Sequence, residues 1–406
     1  MSGDPAGAAS SPPGSLFFRL FPALRVARLD RHEAAGSLGD MGTFLPLLVG
    51  MASQNGLSFA SALFFAGFFN VVTGLAFAVP MAVQPMKAIA AVALTDGLTA
   101  SQIVAAGASV SLVILVLGVT GLIGALDRAV PRPVVRGIQL ALGLSLLMKG
   151  LQMVAGTKTP VGVDSWMTGA IAAVVTLLLF FSRRLPAALV LFGAGLLLAV
   201  AKTPDVVASI RIGLALPAWC PPAWGDFVSS FAKAAVPQIP LTTLNSVIAV
   251  CALSTTLFPD RPASPRRVAI SVGLMNLASA PFGGMPMCHG AGGLAGQYRF
   301  GARTNGSVLF LGALKMAVAL LFGASLMALC RAFPASILGV MLAVSGSELA
   351  LVTRDQTARG DAFIMIVTAG ASLGLSNVAL GFGIGLVLAL LRRLPSFPLE
   401  EPNGPG

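Results

Sequence analysis

Apolar stretches long enough to cross a bilayer, about 20 residues each, recur from Ala34 to Leu391 with only short polar or Gly/Pro-rich breaks between them. With 56% hydrophobic and 10% charged residues among 406, the chain belongs to the polytopic membrane class and cannot be a soluble globule. One integral, all-α membrane domain is expected, with spans near 34–54, 58–79, 84–95, 99–126, 131–152, 165–182, 185–201, 226–254, 264–281, 289–299, 304–330, 334–351, 361–376 and 378–394. The third and tenth of these fourteen are too short to cross.

Residues 1–33 hold Pro, Gly, Ser and four arginines with no apolar core followed by a cleavage site, so they read as a cytoplasmic N-terminal tail rather than a signal peptide. Within them, "SLFFRLFPALRVARL" has the pattern of a segment lying on a membrane surface. Residues 395–406 are expected to form a short cytoplasmic tail. The four cysteines, Cys220, Cys251, Cys288 and Cys330, are scattered without paired spacing, so neither disulfides nor a metal site is expected, and no cofactor motif is present.

The net charge of +11 does not mark a nucleic-acid binder, because the basic residues are dispersed among apolar segments rather than gathered in a patch. They report topology instead. With the N-terminus inside, eighteen arginines, among them Arg128, Arg183, Arg184, Arg299, Arg303 and Arg393, fall on the cytoplasmic side. Only Lys149, Lys158, Lys202, Arg211 and Arg331 fall outside, and Lys87, Lys233 and Lys315 lie within spans. This is the positive-inside asymmetry, and a miscounted span in mid-chain would destroy it. Both termini are therefore expected in the cytoplasm, and the protein in a cell (inner) membrane, surrounded by lipid. A homodimer is compatible with such a chain.

Shifting the chain by 206 residues aligns "GFFNVVTGLAFAVPM" (67–81) with "GLMNLASAPFGGMPM" (273–287), matching Gly67, Asn70, Pro80 and Met81 to Gly273, Asn276, Pro286 and Met287. A second echo pairs "PRPVVRGIQLALG" with "FPASILGVMLAVSG". Two seven-span halves follow, and since seven is odd they enter the membrane from opposite sides. Transporters with inverted repeats bind substrate near the midplane, between discontinuous helices.

The undersized spans supply those helices. In "MAVQPMKAIAAVAL" (81–94), Pro80 and Pro85 delay the third helix to about Gln84, with Pro85 tolerated in its first turn. Its unpaired N–H groups cannot face lipid. The matching "MPMCHGAGGLAGQY" (285–298) has Pro286 before Cys288, His289 and Gly290, then a short glycine-rich helix. Two helix N-termini thus face one point, an arrangement that binds oxyanions. Lys87 opposes the macrodipole of its own helix and is costly in mid-membrane, so something negative offsets it. That is either the substrate or Asp40, unless the side chain simply snorkels.

Asp40, behind Gly36 and Gly39, is either a proton-coupling carboxylate or that counter-ion; His289 is either a proton shuttle or oxyanion donor, or a structural histidine. The eighth span offers Gln238, Thr242, Thr243, Asn245 and Ser246, either substrate donors or helix-packing groups. Arg299 and Arg303 are explained by topology, and Glu348 reads as a gate or salt-bridge residue. The expected anion shell is Gln84, Pro85, Met86 and Lys87, Cys288, His289, Gly290 and Ala291, with Asp40 and Thr43 from the first span and Gln238 from the eighth.

"VPMAVQPMKAIAAVAL" (79–94), "FGGMPMCHGAGGLAGQYRFGART" (282–304), "GDMGTFLPLL" (39–48) and "PQIPLTTLNSVIAVC" (237–251) resemble the signature stretches of the molybdate transporter family, a branch related to sulfate permeases. The resemblance covers nearly the whole chain from about residue 34. It implies high-affinity uptake of molybdate, with tungstate as a close congener, by a core sliding against a gate. It also implies that spans 1–4 and 8–11 (about 34–126 and 226–330) form the core and spans 5–7 and 12–14 (about 131–201 and 334–394) the gate. Sulfate permeases usually continue into a soluble regulatory domain, whereas this chain ends at "LRRLPSFPLEEPNGPG", as in the molybdate branch.

The rivals are a carrier of sulfate or a nucleobase on the same architecture, and an anion channel. Nucleobase carriers usually place carboxylates on the eighth and tenth spans, and none lies between Asp226 and Asp260 or between Gly283 and Gly296. An enzyme would need clustered acids, histidines or a nucleophile–base pair, yet His32 and His289 are the only histidines.

Overall fold

A computed structural model of the chain describes residues 22–179, 186–205 and 210–392. Arg19, Arg183, Arg184, Arg393, most of the N-terminal tail and the tail at 395–406 lie outside the described residues, as do the ends of the sixth and fourteenth expected spans and the start of the seventh.

Each expected span corresponds to a helix, in the expected order. The first half holds α1 (Arg31–Ser37), α2 (Met41–Asn55), α3 (Phe59–Ala76), the strand β1 (Gln84–Pro85), α4 (Lys87–Asp96), α5 (Ala100–Thr120), α6 (Ile123–Ala129), α7 (Arg132–Ala155), α8 (Trp166–Leu179) and α9 (Ala187–Lys202). The second half holds α10 (Trp224–Leu257), α11 (Pro265–Ser279), the strand β2 (Met287–Cys288), α12 (Ala291–Arg299), α13 (Gly306–Ala332), α14 (Ala335–Leu351), α15 (Arg359–Gly374) and α16 (Val378–Leu391). Among the described residues, six helices are long and apolar enough to cross a membrane. Large apolar side chains point outward, as at Leu178, Leu197 and Val387, while Asp40, Gln84, Gln238 and His289 are buried, the distribution expected where the surrounding solvent is lipid.

Three boundaries differ from the sequence reading. The third helix begins at Lys87 rather than Gln84, because Gln84 and Pro85 are extended and paired in a strand, so Pro85 lies before the helix and not in its first turn. The tenth begins at Ala291, after β2. The fourth ends at Thr120, where Gly121 takes φ 77° and starts the separate α6; that left-handed conformation suits glycine.

The internal repeat appears as duplicated packing. Gly67 of α3 lies against Gly312 of α13, and its counterpart Gly273 of α11 lies against Ser111 and Leu115 of α5. Helices α7 and α14, which carry the second echo, cross antiparallel through two glycine pairs. A Cβ on Gly346 would sit 2.5 Å from the Gly143 carbonyl oxygen, and one on Gly150 would sit 2.3 Å from that of Gly339. Without a hydrophobic drive in lipid, such close backbone approach is what holds membrane helices together. Helix α15 packs on the same α7 and on α16.

Helix α10 carries Pro237 and Pro240, each of which removes an amide and crowds the preceding turn. The chain accommodates them with π-helical turns at Phe231–Ala235 and Thr242–Ala249. Wider turns of this kind re-aim side chains and recur at functional sites.

Overpacking a tight contact costs about 1–3 kcal/mol. Gly346→Val should therefore melt earlier in detergent, whereas Gly370→Val, whose Cβ meets nothing within 4 Å, should not. Equal melting of the two in a thermal size-exclusion assay would contradict the α7–α14 contact.

Candidate functional site

The two interrupted spans meet through their backbones. Strands β1 and β2 pair antiparallel, Gln84 opposite Cys288 and Pro85 opposite Met287, and the Met86 amide donates to the Pro286 carbonyl at 2.9 Å. An asparagine from each repeat secures the approach. Asn70 Oδ1 accepts from the Val83 amide at 3.1 Å, 13 residues on. Asn276 Oδ1 accepts from the Met287 amide at 2.6 Å, 11 residues on. The repeat register therefore slips by two between asparagine and strand, and Lys87 and Ala291 become equivalent first residues of α4 and α12.

The two helix N-termini are treated differently. Gln238 Oε1 accepts from the Ala88 amide at 2.8 Å and the Ile89 amide at 3.3 Å, and its Nε2 donates to Thr242 Oγ1 at 2.8 Å. Gln238 is thus a tertiary cap on α4, its acceptor engaged by two amides and one of its two N–H donors by Thr242. Helix α12 has no side-chain cap from Gly290, and the Gly293 and Leu294 amides turn back to the Gly290 carbonyl. Among the described residues no side chain accepts from the first amides of α12, so of the two helix starts it is the uncapped, positive one.

Lys87 lies beside that end. A Cβ on Gly292 would stand 3.9 Å from Lys87 Nζ, and Lys87 is half-buried while Gly292, Ala295 and Arg299 form an exposed stripe on α12. The acids that act on Lys87 electrostatically are Asp40 and Glu348. Glu348 is exposed on α14, so the first turn of α12 is reached from the side of the protein that carries Arg299 and Glu348.

Gln84 spans the floor. Its Nε2 donates to Asp40 Oδ1, and its carboxamide rests on α12, where a Cβ on Gly290 would meet Oε1 at 2.0 Å and one on Gly293 would meet Cδ at 2.8 Å. Glycine is required at both positions by this contact. Asp40 reaches Gln84 because α12 comes within backbone contact of Gly39: a Cβ there would lie 2.4 Å from the Gly296 carbonyl oxygen. Asp40 Oδ2 and Gln84 Oε1 are buried with no hydrogen-bond partner among the described residues.

The remaining predicted residues take supporting positions. Ser246 Oγ donates to Cys288 Sγ at 3.1 Å. His289 is fully buried, with Nε2 2.9 Å from Ser271 Oγ and Nδ1 3.3 Å from the Ala82 carbonyl, and its ring edge-on to Phe77; both nitrogens are engaged, as in a histidine that braces a fold. Pro85 and Met86 line the crossing with their backbones, and Thr43 is half-buried in the first turn of α2.

Lys315 of α13 carries no role in the sequence reading. The structure buries it with Nζ 3.7 Å from the centroid of the Phe44 ring and makes it the cation acting most strongly on Asp40. A lysine midway along a 27-residue helix whose other charge, Arg331, lies in its last turn is the signal that marks it.

Residues 32–146 and 230–349 match a family model described as "Molybdate transporter of MFS superfamily". The chain is 42% identical over 414 residues to Molybdate transporter 2 of Arabidopsis thaliana, covering 91% of this chain and 89% of that protein. It is 35% identical to Molybdate transporter 1 of the same plant (98% and 96% covered) and 36% identical to Molybdate transporter 1 of Chlamydomonas reinhardtii (89% and 91%). Among solved structures it superposes on the murine Slc26a9 anion transporter in the inward-facing state with TM-score 0.69 at 15% identity, over 95% of this chain and 73% of that one. The transmembrane domain of the cyanobacterium bicarbonate transporter BicA superposes with TM-score 0.62 at 15% identity, over 89% and 97%. Those structures establish the fold, and the sequence relatives establish the family: this integral membrane protein belongs to the molybdate transporter family, whose members are transporters and not enzymes, and it has the fold of SLC26-type anion transporters.

Proposed function

We propose that this chain takes up molybdate, and the near-isosteric tungstate, as a secondary active transporter working by alternating access. The observation that carries the reading is the open N-terminus of α12 with the Lys87 ammonium beside it, a cradle of amide donors and one cation suited to an oxyanion. The names of the sequence relatives supply the substrate. Gly290, Ala291 and Gly292 offer backbone donors, Lys87 a charge, and Gln84, Cys288, Asp40 and Thr43 line the site. Pro85, Met86, His289 and Gln238 hold its frame.

In this reading α2–α5 and α10–α13 are the core that carries the anion, and α7–α9 with α14–α16 are the gate. Supporting it, α3 packs on α13 and α11 on α5, while α7 packs on α14 and α15. The inverted halves let each adopt the other's arrangement, which opens the site alternately to the two sides. The arginine asymmetry supports cytoplasmic termini in a cell (inner) membrane, so the exposed stripe from Gly292 to Arg299 faces the cytoplasm. Proton coupling is assigned to Asp40, since both His289 nitrogens are engaged. A homodimer in lipid is part of the proposal and is checked by the mass of the particle in nanodiscs.

Uptake of labelled molybdate into proteoliposomes should saturate, be competed by tungstate, and be competed poorly by the smaller sulfate. Rapid unsaturated conductance would identify a channel, and stronger competition by sulfate a sulfate carrier. Loss of a charge-assisted hydrogen bond costs about 1.5–3 kcal/mol, so Lys87→Met should weaken molybdate binding by about 10- to 100-fold. Gln238→Leu removes the cap from α4 and should lower the stability of the protein by about 1 kcal/mol, read as earlier melting in detergent, with Thr242→Val milder. Wild-type affinity in Lys87→Met would remove the cation from the site.

A further inference from the structure

The Gln84 carboxamide has two faces and two neighbours. Nε2 donates to Asp40 Oδ1, and Oε1, which has no hydrogen-bond partner among the described residues, lies against Gly290 at the start of α12. An ionised carboxylate only accepts, whereas a protonated one also donates. An ionised Asp40 therefore holds the amide with its NH2 group inward, and only a protonated Asp40 can accommodate the amide turned over. With Asp40 ionised, Gln84 turns an acceptor toward the place proposed for the oxyanion, where an acceptor repels it.

We infer that Gln84 is a proton-read switch of anion affinity: when Asp40 is protonated the carboxamide turns over, the Asp40 hydroxyl donates to Oε1, and the freed NH2 group donates to the oxyanion at the first turn of α12. Gly290 and Gly293 make the turn feasible, because the amide rests on positions without side chains. The proton comes from the side to which the site is open and leaves from the other, bonded to Asp40 Oδ in between. Anion and proton then favour each other's binding reciprocally, as linkage requires, and the two cross together.

The charges around Asp40 suit this role. Lys315 from α13 and Lys87 from α4 are the cations that act on it. Glu348 from α14 acts on Lys87, and Cys288 of β2 lies within electrostatic reach of both Lys87 and Asp40. Glu33 of α1 accepts from the amides of Arg303, Thr304 and Ser307. From α12, Arg299 is exposed and Gln297 is neutral.

The inference rests on the proposed oxyanion site, and the test separates the two. Purified wild-type protein should bind molybdate at least about fivefold more tightly near about pH 5.5 than near about pH 8. It should also take up close to one proton per anion, read from binding heats in buffers of different ionisation enthalpy. Gln84→Leu leaves Asp40 able to ionise but has no amide to turn, so its weakened binding should vary less than about twofold over that range. Asp40→Asn can donate to Oε1 at every pH and should hold the acid-state affinity throughout. A wild-type pH slope retained in Gln84→Leu overturns the switch, since Asp40 would then act by direct repulsion. If Gln84→Leu fails to give a monodisperse particle, Gln84→Met and the wild-type proton count decide the same question. Wild type that binds molybdate with no proton uptake overturns the switch alone; wild type that binds no molybdate at either pH overturns the uptake reading and the switch with it.

Discussion

A backbone that stops being helical in the middle of a bilayer must find partners for its amides and carbonyls, and the crossing of β1 and β2 is how this chain finds them. Each strand pairs with the other, Asn70 and Asn276 hold the extended stretches that lead in, and the helices that resume on either side begin at mid-depth. The rest of the molecule surrounds that crossing. Glycine contacts bring α3 to α13 and α11 to α5 around it, and α10, bent by Pro237 and Pro240, delivers Gln238 to the start of α4.

Duplication builds the crossing, and departures from duplication set its two halves apart. Lys87 and Ala291 are equivalent first residues, yet one is a cation and the other a methyl group. The α4 terminus is capped by Gln238, while among the described residues α12 has no side-chain cap, with glycine at its N-cap position 290 and at 292 and 293. A symmetric pair of open termini would present two equal anion sites facing each other. Closing one and adding a single ammonium beside the other concentrates positive potential at one place, and it is on this asymmetry that the proposed oxyanion site rests.

Much of this was legible from individual residues. Pro80, Pro85 and Pro286 marked the interruptions, Gly67 and Asn70 matched their counterparts 206 residues on, and each pair does the same work in the structure. Lys87 was conspicuous because a cation inside an apolar segment is costly. Lys315 was equally costly but had no motif around it, and only packing revealed Asp40 and Phe44 as its neighbours. The strands were missed because two residues are too few for an alternation pattern. That Gln238 accepts from the Ala88 and Ile89 amides was not legible, because those partners lie about 150 residues away.

The sequence by itself determined the membrane class, the order of the helices, the inverted repeat and the two broken spans, since these follow from local hydropathy, proline and glycine, which act on the chain wherever it lies. Tertiary structure alone decided which helix end stays open, which amide caps the other, and that Asp40 binds Gln84 rather than Lys87. Those outcomes depend on groups far apart in the chain brought within hydrogen-bond reach, a matter of ångström-scale geometry that no local pattern encodes.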